Sequence, residues 1–257
     1  MRYRINYSCV SEVGRIRTMN QDNFICDGCY MEEDSSQKPF SKNGSVISKD
    51  CSLFGIFDGM GGEECGEVAS LIAAREAVKL EGEDGGVELL SEYCRRANSA
   101  ICSYADQNGV VAMGTTAAML HFSKDEITLC NIGDSKIFRL SAGEIKQIST
   151  DHVAISVYGR KPPLTQHLGL PEDFLIIEPY FSHGGYVEGD KYLICSDGLT
   201  DMVSEEEINE IIKENTIENA VQKLLEKSLE NGGRDNITII LLEIENDSKL
   251  ANMFKTK

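Results

Sequence analysis

The sequence is poor in basic residues. Only 25 lysines and arginines stand against 42 aspartates and glutamates, so the 257-residue chain has a formal net charge of −17. Nucleic acids and membrane surfaces are anionic, and a protein of this charge is repelled by both. We therefore expect no nucleic-acid partner and no membrane partner. Most of the acids are expected to form a solvated surface, so the informative ones are those beside apolar strands.

Long apolar runs are also missing. No run approaches the ~18 residues of a membrane-spanning helix, and the opening MRYRINYSCV has no apolar segment typical of a secretory signal. The nine cysteines are scattered, and several, such as Cys130 and Cys195, lie in apolar contexts. They fit small core residues in a reducing compartment. The sequence thus predicts a cytoplasmic protein.

The pattern of a structural zinc site is absent. Cys26 and Cys29 form a lone C-x-x-C, with no second pair and no histidine at zinc-finger spacing. We also find no internal repeat and no low-complexity tract.

The apolar periodicity predicts many strands and two pairs of helices. Residues 32–45 are polar and are expected to form an exposed loop. The predicted helices cover residues 66–80, 87–107, 204–214 and 217–230. The predicted strands cover residues 3–10, 23–29, 53–57, 114–122, 126–133, 135–140, 144–149, 174–181, 190–196 and 236–245.

The order of these elements predicts the fold class. Strands that follow one another this often favour antiparallel pairing over alternating βαβ units. Segments such as YLIC and TIILL are apolar at nearly every position, so both faces of their strands should be covered. We predict an α+β fold in which two mainly antiparallel sheets pack together with a helix pair outside each. Residues 1–246 are expected to form a single catalytic domain, and 247–257 a polar C-terminal tail.

Five aspartates stand where predicted strands meet turns. Asp58, Asp134 and Asp197 follow apolar runs, whereas Asp22 and Asp235 precede them. One such acid is usually a cap or a turn former. Five of them suggest a shared site for Mg²⁺ or Mn²⁺, which take hard oxygen ligands and keep several waters. Clustered carboxylates repel one another unless cations neutralise them.

These motifs suggest two other interpretations. A dinucleotide-binding turn after the strand would need a third glycine at position 64, but Glu64 stands there, and with Glu63 it would repel a pyrophosphate. Thr115 and Thr116 could suggest a nucleophile, but β-branched residues in a strand are the simpler explanation.

Eight motifs in order resemble one known family. They are GRIRTMNQDNF, FDGMGG, GTTAA, NIGDSK, STDH, TQHLG, CSDGLTDMV and GGRDNIT. Together they resemble the metal-dependent serine/threonine phosphatases of the protein phosphatase 2C family, in its compact bacterial form. The resemblance implies an α-β-β-α sandwich. It also implies phosphoprotein substrates, an opposing serine/threonine kinase, and two or three Mn²⁺ or Mg²⁺ ions.

The resemblance also assigns roles to residues of the site. Asp58 matches the carboxylate that bridges two ions, with the Gly59 carbonyl on the second ion. Asp197 and Asp235 match the other protein ligands of the first ion, and Asp22 matches the acid that holds metal-bound water. The remaining matches are Asp134, which with Asp197 would bind a third ion, Arg17, which would grip the substrate phosphate, and Asn236, which would shape the site.

The implied reaction is in-line attack on phosphorus by a hydroxide that bridges two metal ions. Arg17 and the ions would stabilise the equatorial oxygens, so Arg17 and Asp58 are the candidate catalytic residues. No covalent phosphoenzyme is needed, so the nine cysteines are not expected to take part in the reaction.

The sequence departs from the family pattern at a few positions. Gln21 stands where many members have Glu, Lys136 replaces a common Arg, and Met60 replaces the His of eukaryotic members. The segment between His152 and Gly169 is shorter than the usual flap. Two alternatives therefore stay open: a catalytically silent member that acts as a scaffold, and a phosphatase for small molecules. Without an apolar surface pattern, we expect a monomer.

Overall fold

A computed structural model describes residues 3–33, 38–47, 51–60, 65–124, 126–155 and 162–247. The described strands are β1 (Tyr3–Glu12), β2 (Asp22–Cys26), β3 (Phe40–Ile47), β4 (Ser52–Met60), β5 (Gly114–Thr115), β6 (Ala117–Phe122), β7 (Ile127–Ile132), β8 (Lys136–Ser141), β9 (Glu144–Gln147), β10 (Tyr180–Gly184), β11 (Lys191–Cys195) and β12 (Ile237–Asn246). The described helices are α1 (Gly66–Val78), α2 (Gly86–Asn108), α3 (Asp197–Thr200), α4 (Glu205–Glu214) and α5 (Ile217–Glu230).

The strands form two sheets. The first sheet has the order β3-β1-β12-β11-β8-β9, and the second has the order β10-β7-β6-β4-β2, with β5 paired to β4 beside it. Every described pairing is antiparallel. The prediction of two mainly antiparallel sheets is therefore confirmed.

Three apolar clusters hold four layers together. The middle cluster joins the facing sides of the two sheets, with Phe54 and Phe122 from one sheet and Tyr192 from the other. A second cluster packs α1 and α2 on the outer face of the second sheet. The third packs α4 and α5 on the outer face of the first sheet. The α-β-β-α sandwich is confirmed.

Alternation along β11 explains why its sequence is apolar throughout. Tyr192 and Ile194 face the other sheet, whereas Leu193 and Cys195 face the helices. Because both faces of the strand are covered, successive side chains that point in opposite directions are all buried. The same holds for β12 from Ile237 to Leu242.

Some predicted elements were wrong. The loop predicted over residues 32–45 contains most of β3, a largely exposed strand at the sheet edge whose polar sequence suits its solvent contact. The strand predicted over residues 174–181 is absent over 174–179, since β10 begins at Tyr180. Phe174 and Ile176 are instead exposed, at 80% and 72%. The short helix α3 was not predicted.

The ends of the chain lie partly outside the described residues. Asp247 accepts a hydrogen bond from Arg4 at 2.9 Å, and the rest of the predicted tail is outside the described part.

An internal segment that bears on the dinucleotide alternative is also outside the described residues. It consists of Gly61, Gly62, Glu63 and Glu64. Among the helices described, none is both long enough and apolar enough to cross a bilayer.

Candidate active site

One polar cavity gathers most of the predicted site residues. It has a volume of about 520 Å³ and opens where β4 ends and β12 begins. The predicted residues that line it are Arg17, Asp58, Gly59, Asp134, Asp197 and Asp235. They come from five separate segments of the sequence, so only the folded chain brings them together.

Two threonines fix the backbone of Asp58. Thr116 Oγ1 accepts a hydrogen bond from the Asp58 amide at 3.0 Å, and the Thr116 amide donates to the Asp58 carbonyl at 2.9 Å. The Thr115 hydroxyl donates to the same carbonyl at 3.0 Å. Thr116 Oγ1 is itself 2.7 Å from Ser135 Oγ, and both residues are buried. The two threonines therefore position Asp58.

Position 59 requires glycine, because the backbone of two other segments approaches it closely. Its amide donates to the Gln21 carbonyl at 3.1 Å. A Cβ atom there would lie 2.1 Å from the Gly66 carbonyl oxygen and 2.4 Å from the Gln21 carbonyl oxygen. Only glycine lets β4, the start of α1 and the residue before β2 meet beside Asp58.

Asp22 lies behind the cavity, not on its wall. It is 2% exposed, and it faces Asp58 directly across the β2–β4 pair. Its Oδ2 accepts hydrogen bonds from Ser196 Oγ at 2.8 Å and Thr238 Oγ1 at 2.7 Å. Burial, opposed by these two hydroxyls, raises the pKa of Asp22 to about 6.

The environment of Asp22 fits a nearby cation. Its Oδ1 atom is buried, and no hydrogen-bond partner for it is found among the described residues. Two carboxylates directly opposite each other in a sheet repel, so Asp22 beside Asp58 is unfavourable without positive charge. The four aspartates that line the cavity offer carboxylate oxygens, which Mg²⁺ and Mn²⁺ prefer.

The carboxylates are arranged around the cavity and not as a tight chelate. Within the described part of the chain, no three side chains of His, Cys, Asp or Glu already form a group that could hold a metal ion. Mg²⁺ and Mn²⁺ sites keep several waters, so a few carboxylates around an open cavity suit them. The residues therefore fit hydrated ions better than a closed cage.

Arg17 pairs with a predicted metal ligand. Its Nη2 donates to Asp235 Oδ2 at 2.8 Å, and the side chains are 46% and 32% exposed. The guanidinium thus supplies the positive charge that Asp235 faces in this structure. Since the pair is well exposed, its net contribution to stability is small, at ~0–1 kcal/mol.

Asn236 ties the N-terminal segment to the start of β12. Its side-chain amide donates to the Val13 carbonyl at 2.9 Å and the Met19 carbonyl at 3.0 Å, and its Oδ1 accepts from the Gln21 amide at 2.8 Å. These bonds hold the loop that carries Arg17 against Asp235. The structure therefore places Asn236 where it shapes the site.

The loop with Asp134 is held by the STDH motif. The His152 amide donates to the Gly133 carbonyl at 2.9 Å, and the Gly133 amide donates to His152 Nδ1 at 3.3 Å. Lys136, which replaces an arginine of the family pattern, forms a short ion pair with Asp151. The lysine therefore still anchors this motif. Much of the shortened flap, residues 156–161, lies outside the described residues.

Gln21 and His167 complete the wall of the cavity. Gln21 Nε2 lies 3.4 Å from Glu67 Oε2, so the amide is directed at a carboxylate of α1. Burial lowers the pKa of His167, whose Nδ1 contacts the Leu168 carbonyl at 2.9 Å. Burial therefore favours the neutral form of the His167 imidazole.

Sequence reasoning missed the hydroxyls that support the acids. Ser196 and Thr238 hold Asp22, and Thr116 and Ser135 hold Asp58. Ser135, Ser196 and Thr238 each lie within three residues of a predicted acid, whereas Thr116 does not. Serines and threonines are too common in either place to be informative. Their role depends on which strands become neighbours.

The chain is similar to known proteins over most of its length. Residues 34–236 match the family model described as Protein phosphatase 2C. The serine/threonine protein phosphatase PstP of Mycobacterium tuberculosis is 32% identical over 219 residues, which cover 79% of this chain and 42% of that protein. The serine/threonine phosphatase stp of Listeria innocua is 29% identical over 253 residues, covering 90% of this chain and 92% of that one.

Solved structures that are similar to this chain include the same mycobacterial phosphatase. The M. tuberculosis PstP structure superposes with a TM-score of 0.79 at 27% identity, covering 95% of this chain and 100% of that chain. A structure of the PstP catalytic domain in complex with 2 manganese ions has a TM-score of 0.78 at 28% identity, with 95% of this chain covered and 100% of that one. The family-model match begins after Arg17 and Asp22, so their roles depend on the motif and the geometry above.

Proposed function

Because this chain belongs to the protein phosphatase 2C family, we propose that it is a metal-dependent phosphatase of phosphoserine and phosphothreonine in proteins. The observation that carries the proposal is the cavity in which Asp58, Asp134, Asp197 and Asp235 meet Arg17. The chain spans only 42% of the length of the mycobacterial relative, so its substrates and partners are proposed and not transferred.

The residues of the cavity divide into two roles. Asp58, the Gly59 carbonyl, Asp197 and Asp235 would hold two Mn²⁺ or Mg²⁺ ions, and Asp134 with Asp197 would hold a third. When bound, the ions supply Lewis-acid charge and lower the pKa of water toward neutrality. Asp22, fixed by Ser196 and Thr238 behind the cavity, would accept a hydrogen bond at its buried Oδ1 atom from a water held by the ions.

Arg17 has the position and freedom to bind the phosphate. Its guanidinium is exposed at the mouth of the cavity and contacts Asp235 through Nη2. If Asp235 serves as a metal ligand, Arg17 would no longer need this contact, and its planar guanidinium would be free to face the substrate phosphate. Arginine binds phosphate oxygens in a bidentate manner, and this would orient the substrate and stabilise charge on its equatorial oxygens.

The test is hydrolysis of p-nitrophenyl phosphate with Mn²⁺, with EDTA, and by an Asp197→Asn variant. Turnover that needs Mn²⁺ and is lost in the variant would support the proposal. Mn²⁺ binding measured by calorimetry gives a second readout that does not depend on activity. If the folded protein binds Mn²⁺ but hydrolyses nothing, the scaffold alternative replaces this proposal.

A panel of phosphopeptides and small phosphate esters decides the substrate class. Preference for phosphopeptides supports a protein phosphatase, whereas preference for a metabolite or nucleotide supports the small-molecule alternative. We further propose a monomer that opposes a serine/threonine kinase in the cytoplasm. No disulfide joins the cysteines of the described residues, which suits a reducing compartment.

A further inference from the structure

A second cavity adjoins the first. It has a volume of about 870 Å³, and Met60 and His167 line both cavities. Its walls are mainly apolar and come from the segment after α2 and the segment before β10. We call it the apolar groove, and its apolar walls include Val110, Val111, Met113, Leu170, Pro171 and Phe174.

The walls of the apolar groove are held in place by hydrogen bonds. Thr115 and Leu168 exchange backbone hydrogen bonds of 3.0 and 2.9 Å, which join the two segments. The buried Asn98 side chain accepts from the Gly169 amide at 2.7 Å and the Leu170 amide at 3.0 Å, and it donates to the Leu170 carbonyl at 2.9 Å. The groove is therefore preformed, and a ligand would not have to order it.

Apolar side chains of the groove are presented to solvent. Val111 is 102% exposed and Phe174 is 80% exposed. Contiguous exposed apolar surface beside a polar site is typical of an interaction surface. The rim carries Asp106 and Asp173, both exposed, in a chain of net charge −17. A partner that suits the groove therefore combines apolar and basic side chains.

Continuity with the catalytic cavity identifies the occupant. Met60 pairs with Gly114 across β4 and β5, two strand positions beyond Asp58. That is ~7 Å from Asp58, and the groove begins there. The opposite end of β12, where Asn246 pairs with Tyr3, lies away from the groove. A substrate chain with its phosphate in the first cavity would reach the groove directly, because Met60 and His167 line both cavities.

Resting on the function proposed above, we propose that the apolar groove binds the unphosphorylated flank of the substrate protein. It selects an apolar residue next to a basic residue, about two to four positions from the phosphorylated one, since an extended peptide advances ~3.3–3.6 Å per residue. Val111 and Phe174 contact the apolar residue, and Asp106 and Asp173 attract the basic one. The groove thus determines sequence preference without taking part in the chemistry.

The test compares kcat/KM for synthetic phosphothreonine peptides made otherwise of glycine, alanine and serine. One series carries a Leu-Arg pair at each offset on either side of the phosphothreonine, and the reference peptide has none. We expect roughly a tenfold preference for the best offset, the effect of partly burying one leucine side chain. Val111→Lys should abolish this preference and leave p-nitrophenyl phosphate turnover unchanged, because the small ester does not reach the groove.

A matched control is Val187→Lys. Val187 is 53% exposed and lies between β10 and β11, close to the end of β12 far from the site. This change should alter neither the peptide preference in kcat/KM nor the turnover of p-nitrophenyl phosphate. Equal kcat/KM for all peptides, with p-nitrophenyl phosphate still hydrolysed, would overturn the groove proposal alone. Loss of Mn²⁺-dependent ester hydrolysis in the wild type would instead overturn the proposed function. A dimer that Val111→Lys dissociates would assign the groove to a second copy and overturn its assignment to substrate.

Discussion

Replacing Thr116 by valine should weaken both the fold and metal binding. Valine keeps the shape of threonine but lacks the hydroxyl that accepts a hydrogen bond from the Asp58 amide at 3.0 Å. The same hydroxyl is 2.7 Å from Ser135 Oγ, and Ser135 is completely buried. The substitution therefore leaves two polar groups without their partner.

The expected loss follows from these two contacts. A buried polar group left unsatisfied costs ~1–3 kcal/mol. The Ser135 hydroxyl can rotate toward another acceptor. We therefore expect the free energy of unfolding to fall by ~2–4 kcal/mol in total. For a chain of this size that corresponds to about 2–4 °C in Tm for each kcal/mol. Asp58 also becomes less well positioned, so its affinity for Mn²⁺ should fall.

The assay is urea unfolding in EDTA, followed by calorimetric titration of Mn²⁺. Thr116→Ser is the control, because it keeps the hydroxyl and should retain most of the stability and Mn²⁺ affinity. Thr115→Val is a second comparison. The Thr115 hydroxyl donates to the Asp58 carbonyl, which also accepts from the Thr116 amide, so its loss should cost less, ~0.5–1.5 kcal/mol. A Thr116→Val protein within ~0.5 kcal/mol of the wild type, with unchanged Mn²⁺ affinity, would refute the positioning role.

Three further outcomes are expected. Burial, reinforced by the carboxylate of Asp27, raises the pKa of Glu81 to about 7, so the folded state holds this proton more tightly than the unfolded state. Stability is then lost as pH rises from ~4.5 through about 7, and Glu81→Gln should be ~1–2 kcal/mol more stable than the wild type at pH 8 but not at pH 4, by urea unfolding. Gly59→Ala should lower Tm and remove the Tm increase on Mn²⁺ addition, because its Cβ would lie 2.1 Å from the Gly66 carbonyl oxygen. Arg17→Ala should reduce kcat/KM for p-nitrophenyl phosphate by roughly 10–100-fold while Tm in EDTA changes little, since its pair with Asp235 is exposed.

Each of these has a control in the chain. Glu83→Gln is the comparison for Glu81, and an equal effect of pH on both variants would contradict the burial argument. Gly82→Ala tests whether alanine is tolerated at a glycine with open space around it, although its φ of +81° carries some strain. Arg17→Lys keeps the charge but not the planar fork, so full activity in that variant would contradict bidentate binding of the phosphate.

The fold was largely predictable because burial leaves a strong pattern in the sequence. Strands covered on both faces, such as β11 and β12, are apolar at nearly every position, and their apolar runs revealed them. The errors occurred where burial is weak. β3 is a polar edge strand, so composition predicted a loop. Phe174, Leu175 and Ile176 are apolar but exposed, so composition predicted a strand.

The sequence by itself determined the kind of site. Aspartates at strand ends, glycine after Asp58 and arginine before Asp22 are local patterns, and their order along the chain identifies the family. Such features can be recognised in the sequence because each involves only residues that are neighbours along the chain.

Only the tertiary structure decided how these residues are placed. Register sets Asp22 directly opposite Asp58, and the meeting of β11 and β12 brings Ser196 and Thr238 onto the Asp22 carboxylate. The Arg17–Asp235 pair joins residues 218 positions apart. The apolar groove likewise forms only where the segment after α2 meets the one before β10. Such contacts depend on the pairing of distant strands, and no local pattern encodes which distant partner a residue will face.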